Sequence, residues 1–347
     1  MLPPFGLSAV LAHWQFAPIV TGVTIVAAGL YGWGVVRVAR RHPARPWPVW
    51  RTAMFGGGLA AIVLATQSGI GTYDDLLFWD HMVQHLMLIM VAPPLLIAGQ
   101  PITLLLHASR NPLHTWTKRM LRSGVASFLT WPVFGALAYT TAIASAHLTG
   151  LAALVERNQA AHNLEHVAFL LIGYLFFLPI LGKEPIRWRL SYPVRFVVLV
   201  LIMPVDTFTG LVLGYGSASS PGISAGPRPA WAPSPVQDLH LGGAVMWIAG
   251  DALMFGLMML VFLMWSRDER AAISGHGWFE RARQENLATL VSQGQPSEGG
   301  RAAANPAVGR GGIDDDEHLA AYNAYLARLN QPRTMKEPAG PGSERGH

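Results

Sequence analysis

Apolar residues gather into seven long runs separated by short polar loops, at about 17–38, 52–71, 78–99, 127–147, 161–182, 194–214 and 239–265. Each approaches the roughly 20 residues that a helix needs to cross the hydrocarbon core of a bilayer. The pattern predicts an all-α membrane protein, with a seven-helix transmembrane bundle within residues 1–265. The second run is the weakest because it contains Gly56, Gly57 and Gly58, although glycine in a membrane helix also permits close helix contact. The third meets Pro93-Pro94, which predicts a kink or a stop. Residues 266–347 form a polar tail whose Gly/Ala/Pro-rich stretch near 294–312 reads as disordered. Near 315–330 the tail carries one short amphipathic helix, with Leu319, Tyr322, Leu326 and Leu329 on one side.

Composition agrees with a membrane protein. Charged residues make up 13% of the chain and hydrophobic ones 51%, against about 25% charged in an average soluble domain. The bilayer is the partner this implies, and nothing in the pattern points to nucleic acid. The chain has no cysteine, which excludes disulfides, thiolate metal sites and thiol exchange. The first residues have neither a basic start nor a small-residue cleavage site, so they do not read as a removable signal peptide.

Lysine and arginine predict the orientation. Arg37, Arg40, Arg41, Arg45 and Arg51 follow the first run. Arg110, Lys118, Arg119 and Arg122 follow the third, and Lys183, Arg187, Arg189 and Arg195 follow the fifth. The N-terminal segment and the other loops hold only Arg157 and Arg228. By the positive-inside rule the N-terminus lies outside and the C-terminus in the cytoplasm, as in a multi-pass protein of a bacterial plasma membrane. Trp14, Trp79, Trp188, Trp231 and Trp265 stand near the ends of runs, where interfacial anchors occur.

With that orientation, seven of the 13 histidines fall at the outer ends of the predicted spans: His13, His81, His85, His147, His162, His166 and His240. Two pairs, His81/His85 and His162/His166, are spaced four apart, which stacks both imidazoles on one helix face. At about 1.5 Å per residue, His85, His166, Asp206 and Met246 lie roughly 8–12 Å below the outer ends of their spans. Met203 is one turn deeper, and His81, His162 and His240 lie nearer the water. Ionisable groups inside a membrane are costly and rare, so such a layer points to function. The candidate metal ligands are therefore His81, His85, His162, His166, Asp206, His240 and Met246. Imidazole with carboxylate suits Cu(II) or zinc, and thioether favours Cu(I), so a cysteine-free His/Met/Asp set leans to a copper ion.

Simpler readings stand beside this one. A single histidine at a helix end is usually an interfacial or hydrogen-bonding residue. Asp80 would serve only to orient a neighbouring imidazole. Asp251 is as well explained by a structural hydrogen bond, and the methionines of the third run by packing. His162-Asn163-Leu164-Glu165-His166 spells the inverse zinc-protease signature, but no third ligand follows it. A membrane cytochrome with axial histidines is a further alternative.

Three blocks carry a family resemblance: FWDHMVQHLMLIMVAPPLLIAGQP (78–101), NLEHVAFLLIGYLFFLPILGKEP (163–185) and QDLHLGGAVMWIAGD (237–251). In this order they resemble the CtaG family of bacterial cytochrome c oxidase assembly factors, over roughly residues 15–265. The resemblance implies a polytopic, non-enzymatic membrane protein that helps a haem-copper oxidase mature, with a copper-bearing oxidase subunit as its partner. It carries over His81 and His85 from the first block, His166 from the second and His240 from the third, where the pair Gln237-Asp238 precedes it. The single-span, cysteine-bearing copper chaperone sometimes given the same name works by a chemistry that this chain lacks. A copper transporter resembling CopD-type proteins is the main rival, but the inner halves of the spans offer few ionisable groups.

Overall fold

The computed structural model describes residues 3–151, 158–217, 220 and 228–293, and beyond residue 270 the backbone alone. The chain divides into one unit of residues 1–278 and a second of 279–347, and the description below concerns the first. The predicted helix at 315–330 and the stretch at 294–312 lie outside the described residues. All described regular structure is helical. Six helical runs are long and apolar enough to cross a bilayer: Pro18–Arg41, Val49–Tyr73, Phe78–Ala108, Gln159–Leu181, Tyr192–Gly214 and Pro235–Arg270. The remaining apolar run, the fourth in order, forms Pro132–Leu148, a helix of 17 residues that packs on helices 159–181 and 192–214. Helix 18–41 buries only Tyr31, Gly34 and Val38. It turns Ile19, Val23, Leu30 and Val36 outward, as a lipid-facing helix does.

Pro93-Pro94 does not end the third run. Phe78–Leu86 is α-helical, Met87–Val91 is a π-helical turn, and Ala92–Ala98 resumes the α-helix with proline in its first turn. A proline lacks an amide donor and crowds the carbonyl four residues back. The wider turn that precedes it accommodates both defects, as π-bulges do. Gln100, with a positive φ of 52°, then breaks the run before a last helix, Pro101–Ala108.

Helix 159–181 crosses this π turn at Gly173. A methyl group there would collide with the carbonyl oxygen of Ile89 and lie 2.9 Å from Cγ of Pro93. Only glycine lets the two backbones come so close. The crossing lies one turn from His85 and two turns from His166, so it determines how the two histidine pairs meet.

Two buried carboxylates tie distant segments to helix N-termini. Asp238 accepts hydrogen bonds from the amides of Phe78 (2.9 Å) and Trp79 (3.1 Å) and an ion pair from Arg228 (2.8 Å). At the far end of the same run, Glu184 accepts from the amides of Ile102 (3.1 Å) and Thr103 (2.8 Å) and from the Thr103 hydroxyl. Each carboxylate thus satisfies orphan donors at a helix start and sits at the positive end of its dipole. Burial pushes the Glu184 carboxyl above its ordinary value, against those hydrogen bonds and the attraction of Arg51.

Candidate metal centre

The rings of the two i,i+4 pairs are adjacent but turned across each other, with centroids 4.1 Å apart and planes at 60° for His81/His85, and 4.3 Å apart at 75° for His162/His166. Because their helices cross at Gly173, the pairs face each other. His81 lies 5.3 Å from His162 and 6.5 Å from His166, and His85 lies 6.3 Å from His166, ring to ring.

Two carboxylates join them. Asp74, buried between helix Gly69–Tyr73 and helix 78–86, holds one oxygen 3.1 Å from Nε2 of His162. That same oxygen accepts from the side-chain amide of Gln84 (2.9 Å), which also donates to the carbonyl of Ala65 (2.9 Å). Gln84, one residue before His85, thereby holds Asp74 in place. Glu165 turns one oxygen toward Nε2 of His81 (3.8 Å) and Nε2 of His85 (3.4 Å). Ligand atoms of Asp74, His81, His162 and His166 all lie within 4.8 Å of one another, as do those of His81, His85 and Glu165. The two groups share His81. Donors on a tetrahedral ion stand about 3.4 Å apart, so binding would draw the most widely separated of these atoms in by roughly an ångström.

A hydrogen-bond chain assigns the tautomer of His85. Nδ1 of His147 lies 2.8 Å from the carbonyl oxygen of Ile143, so it carries the proton. Nε2 of His147 is then an acceptor, and Nδ1 of His85 donates to it at 3.1 Å. In neutral His85 the free lone pair is therefore on Nε2, the atom that faces Glu165. Phe169 stacks on the His85 ring at 4.3 Å and fixes its plane. Three atoms in this space are buried without a hydrogen-bond partner: Nε2 of His85, Nε2 of His166 and the inward oxygen of Glu165. Buried polar groups without partners are costly and uncommon. Imidazole nitrogens and carboxylate oxygens fit a borderline divalent ion such as copper or zinc.

Of the predicted ligands, His81, His85, His162 and His166 come together, and Asp206 and His240 lie outside both groups. Asp206 accepts from the hydroxyl of Tyr139 (3.0 Å) on helix 132–148. His240 bonds through Nε2 to the carbonyl of Gly216 (2.9 Å), and Met246 is buried in the apolar core. Depth along a span placed Asp206 and Met246 at the level of His85 and His166, with His240 nearer the water, but depth does not say toward which neighbour a helix turns a given face. Asp251 accepts from the hydroxyl of Thr207 (3.0 Å). Asp80 orients no imidazole, since both of its carboxylate oxygens are buried without a partner. Three contributors were not among the candidate ligands. Asp74 sits in a turn with no motif around it. His147 was visible in the histidine layer, but as a single residue at a helix end. Glu165 was visible only as the middle of a protease-like signature.

Residues 29–268, more than two thirds of the chain, match the family described as cytochrome c oxidase caa3 assembly factor (Caa3_CtaG). An uncharacterized protein of Mycobacterium bovis is 29% identical over 338 residues, covering 95% of this chain and 46% of that protein. An uncharacterized protein of Mycobacterium leprae is 31% identical over 269 residues, covering 75% of this chain and 40% of its own length. The chain thus spans less than half the length of these curated relatives. No solved structure matches. The family match spans every segment that builds the centre, from Asp74 through His166, and the chain belongs to the cytochrome c oxidase caa3 assembly factor family.

Proposed function

We propose that this chain is a seven-span protein of the bacterial plasma membrane, N-terminus outside, that supports haem-copper oxidase assembly by holding copper at its outer face. A copper-bearing oxidase subunit is the proposed recipient. The strong bias of lysine and arginine toward one set of loops supports the orientation. It puts His81, His85, His162 and His166 at the outer ends of their helices, with Asp74 and Glu165 among them.

One observation carries the metal reading. The lone pair on Nε2 of His85 faces a carboxylate oxygen of Glu165 across 3.4 Å, and both atoms are buried without a hydrogen-bond partner. Two acceptors held together in a low-dielectric interior repel each other unless a proton or a metal cation is held between them, and the further imidazoles of His81 and His166 around the same space favour the metal. In this reading copper is the cargo. The chain's own residues bind it, exclude water through Phe169 and the neighbouring apolar side chains, and hold His85 in the ligating tautomer through His147.

Metal analysis of the purified chain tests the proposal. The expected result is one or two copper ions per chain, reduced by at least one in a variant carrying His81→Ala and His85→Ala. Unchanged stoichiometry in that variant would sink the ligand assignment. A deletion strain with low oxidase activity, restored by added copper, would support delivery of the metal over a scaffolding role.

A further inference from the structure

At the opposite end of the bundle, the loop from His42 to Pro48 and the start of helix Val49–Gln67 enclose a cavity of about 640 Å³. Arg41, Arg45, Arg51, His42 and His107 line it, and no acidic residue does. Arg51 attracts Glu184, but the oxygens of that carboxylate are already engaged by the amides and hydroxyl of residues 102 and 103. The sequence has no aspartate or glutamate before Asp74 and none between His81 and Leu154. The segments that build the cavity therefore supply no counter-charge of their own.

The arginines are held in different ways. Arg41 donates to the carbonyl of Ala108 at 2.7 Å. Arg51 lies over the rings of Trp47 (4.7 Å) and Trp50 (5.6 Å), and its Nε is buried without a partner. Among the described residues Arg45 has neither an ion pair nor a side-chain hydrogen bond. Trp47 is anchored in turn, donating from Nε1 to the Tyr31 hydroxyl (3.0 Å), which donates to the carbonyl of Gly99 (2.7 Å). Pro43, Pro46 and Pro48 stiffen the rim. The positive-inside rule accounts for the presence of cations here. It does not account for a concave, aromatic-braced arrangement with a buried, unpartnered guanidinium nitrogen.

We propose that this cavity binds the phosphate of an anionic phospholipid of the adjoining leaflet. Phosphate oxygens match the fork of a guanidinium, and basic pockets between membrane helices suit such headgroups. The lipid source is favoured over free phosphate by a second feature. One helical turn from Arg51, Phe55 begins an apolar groove lined by Ala27, Leu59, Leu96 and Pro101, which provides a bed for an acyl chain below a headgroup in the cavity.

Retention of lipid by the full chain in neutral detergent tests the proposal, read by native mass spectrometry and by melting temperature. Dioleoylphosphatidylglycerol should be retained at least tenfold more strongly than dioleoylphosphatidylcholine. The double variant Arg45→Gln with Arg51→Gln should lose that preference. A charge-matched double variant on another loop, Arg119→Gln with Arg122→Gln, should keep it within twofold. Arg45→Gln alone, which breaks no internal contact, should still weaken retention severalfold, so misfolding of the double variant does not spare the proposal. Equal retention of the two lipids, or equal loss in the control variant, overturns it. Inorganic phosphate that reproduces the stabilisation without a lipid preference overturns the lipid source and assigns the cavity to the free anion.

Discussion

The two ends of the bundle deal with charge in opposite ways. At one end five histidines, Asp74 and Glu165 are drawn inward, mostly buried, and placed within a few ångströms of one another. At the other end Arg41, Arg45 and Arg51 stand around a cavity without forming an ion pair. Imidazole explains part of the contrast. It can be neutral, so burying it costs far less than burying a guanidinium, which is never deprotonated in a protein. Each end also contains a buried carboxylate capping a helix, Asp238 at the histidine end and Glu184 at the arginine end. Neither of these carboxylates belongs to the two clusters of closely spaced ligand atoms. Burial alone therefore does not mark a functional carboxylate. What sets Glu165 apart from these two, and from Asp80, is that its inward oxygen has no donor and faces the ring nitrogens of His81 and His85.

The sharpest way to break this comparison is at the structural carboxylate of the histidine end. Asp238→Ala strips two amides and Arg228 of their acceptor, and the expected loss is about 3–5 kcal/mol of stability, read as a large fall in melting temperature in detergent. If the variant melts like the parent, Asp238 does not hold the two segments together. Gly173→Ala comes next. The added methyl meets the Ile89 carbonyl, and overpacking of this kind costs about 1–3 kcal/mol. It should lower copper affinity together with stability, because the same crossing positions both histidine pairs.

His147→Leu separates site from scaffold. It removes the acceptor that fixes the His85 tautomer, and loss of such an orienting partner typically weakens metal binding about 10–100-fold. Copper titration should show this while the melting temperature of the metal-free protein moves little. A metal affinity unaltered by this change would contradict the hydrogen-bond chain. His240→Ala, outside the centre, should leave copper affinity within twofold, and a larger effect would bring the third block back into the site.

The smallest effect belongs to the arginine end. Glu184 binds its proton more tightly in the folded chain than in the unfolded one. Its contribution to stability is therefore largest below the ordinary glutamate value, about 4.3, and declines as pH rises from there to its raised value. Glu184→Gln should flatten this part of the profile of melting temperature against pH, and an unchanged slope would assign it to other groups.

Much of this was legible before any tertiary contact was known. Hydropathy alone determined that the chain is helical and built for a membrane, because a bilayer demands long apolar runs with their backbone groups satisfied internally. Periodicity alone determined that His81 and His85, and His162 and His166, share a helix face. Tertiary structure decided which faces meet. The π turn and Gly173 rotate the two pairs toward each other, and a rotation of one helix about its axis leaves no trace in depth or hydropathy. For the same reason Asp206 found Tyr139, and Asp74, alone in a turn, arrived beside His162 by way of Gln84. Helix existence depends on local composition and so is written in the sequence. A ligand set depends on the relative rotation of three helices and one turn, which only their packing against one another determines.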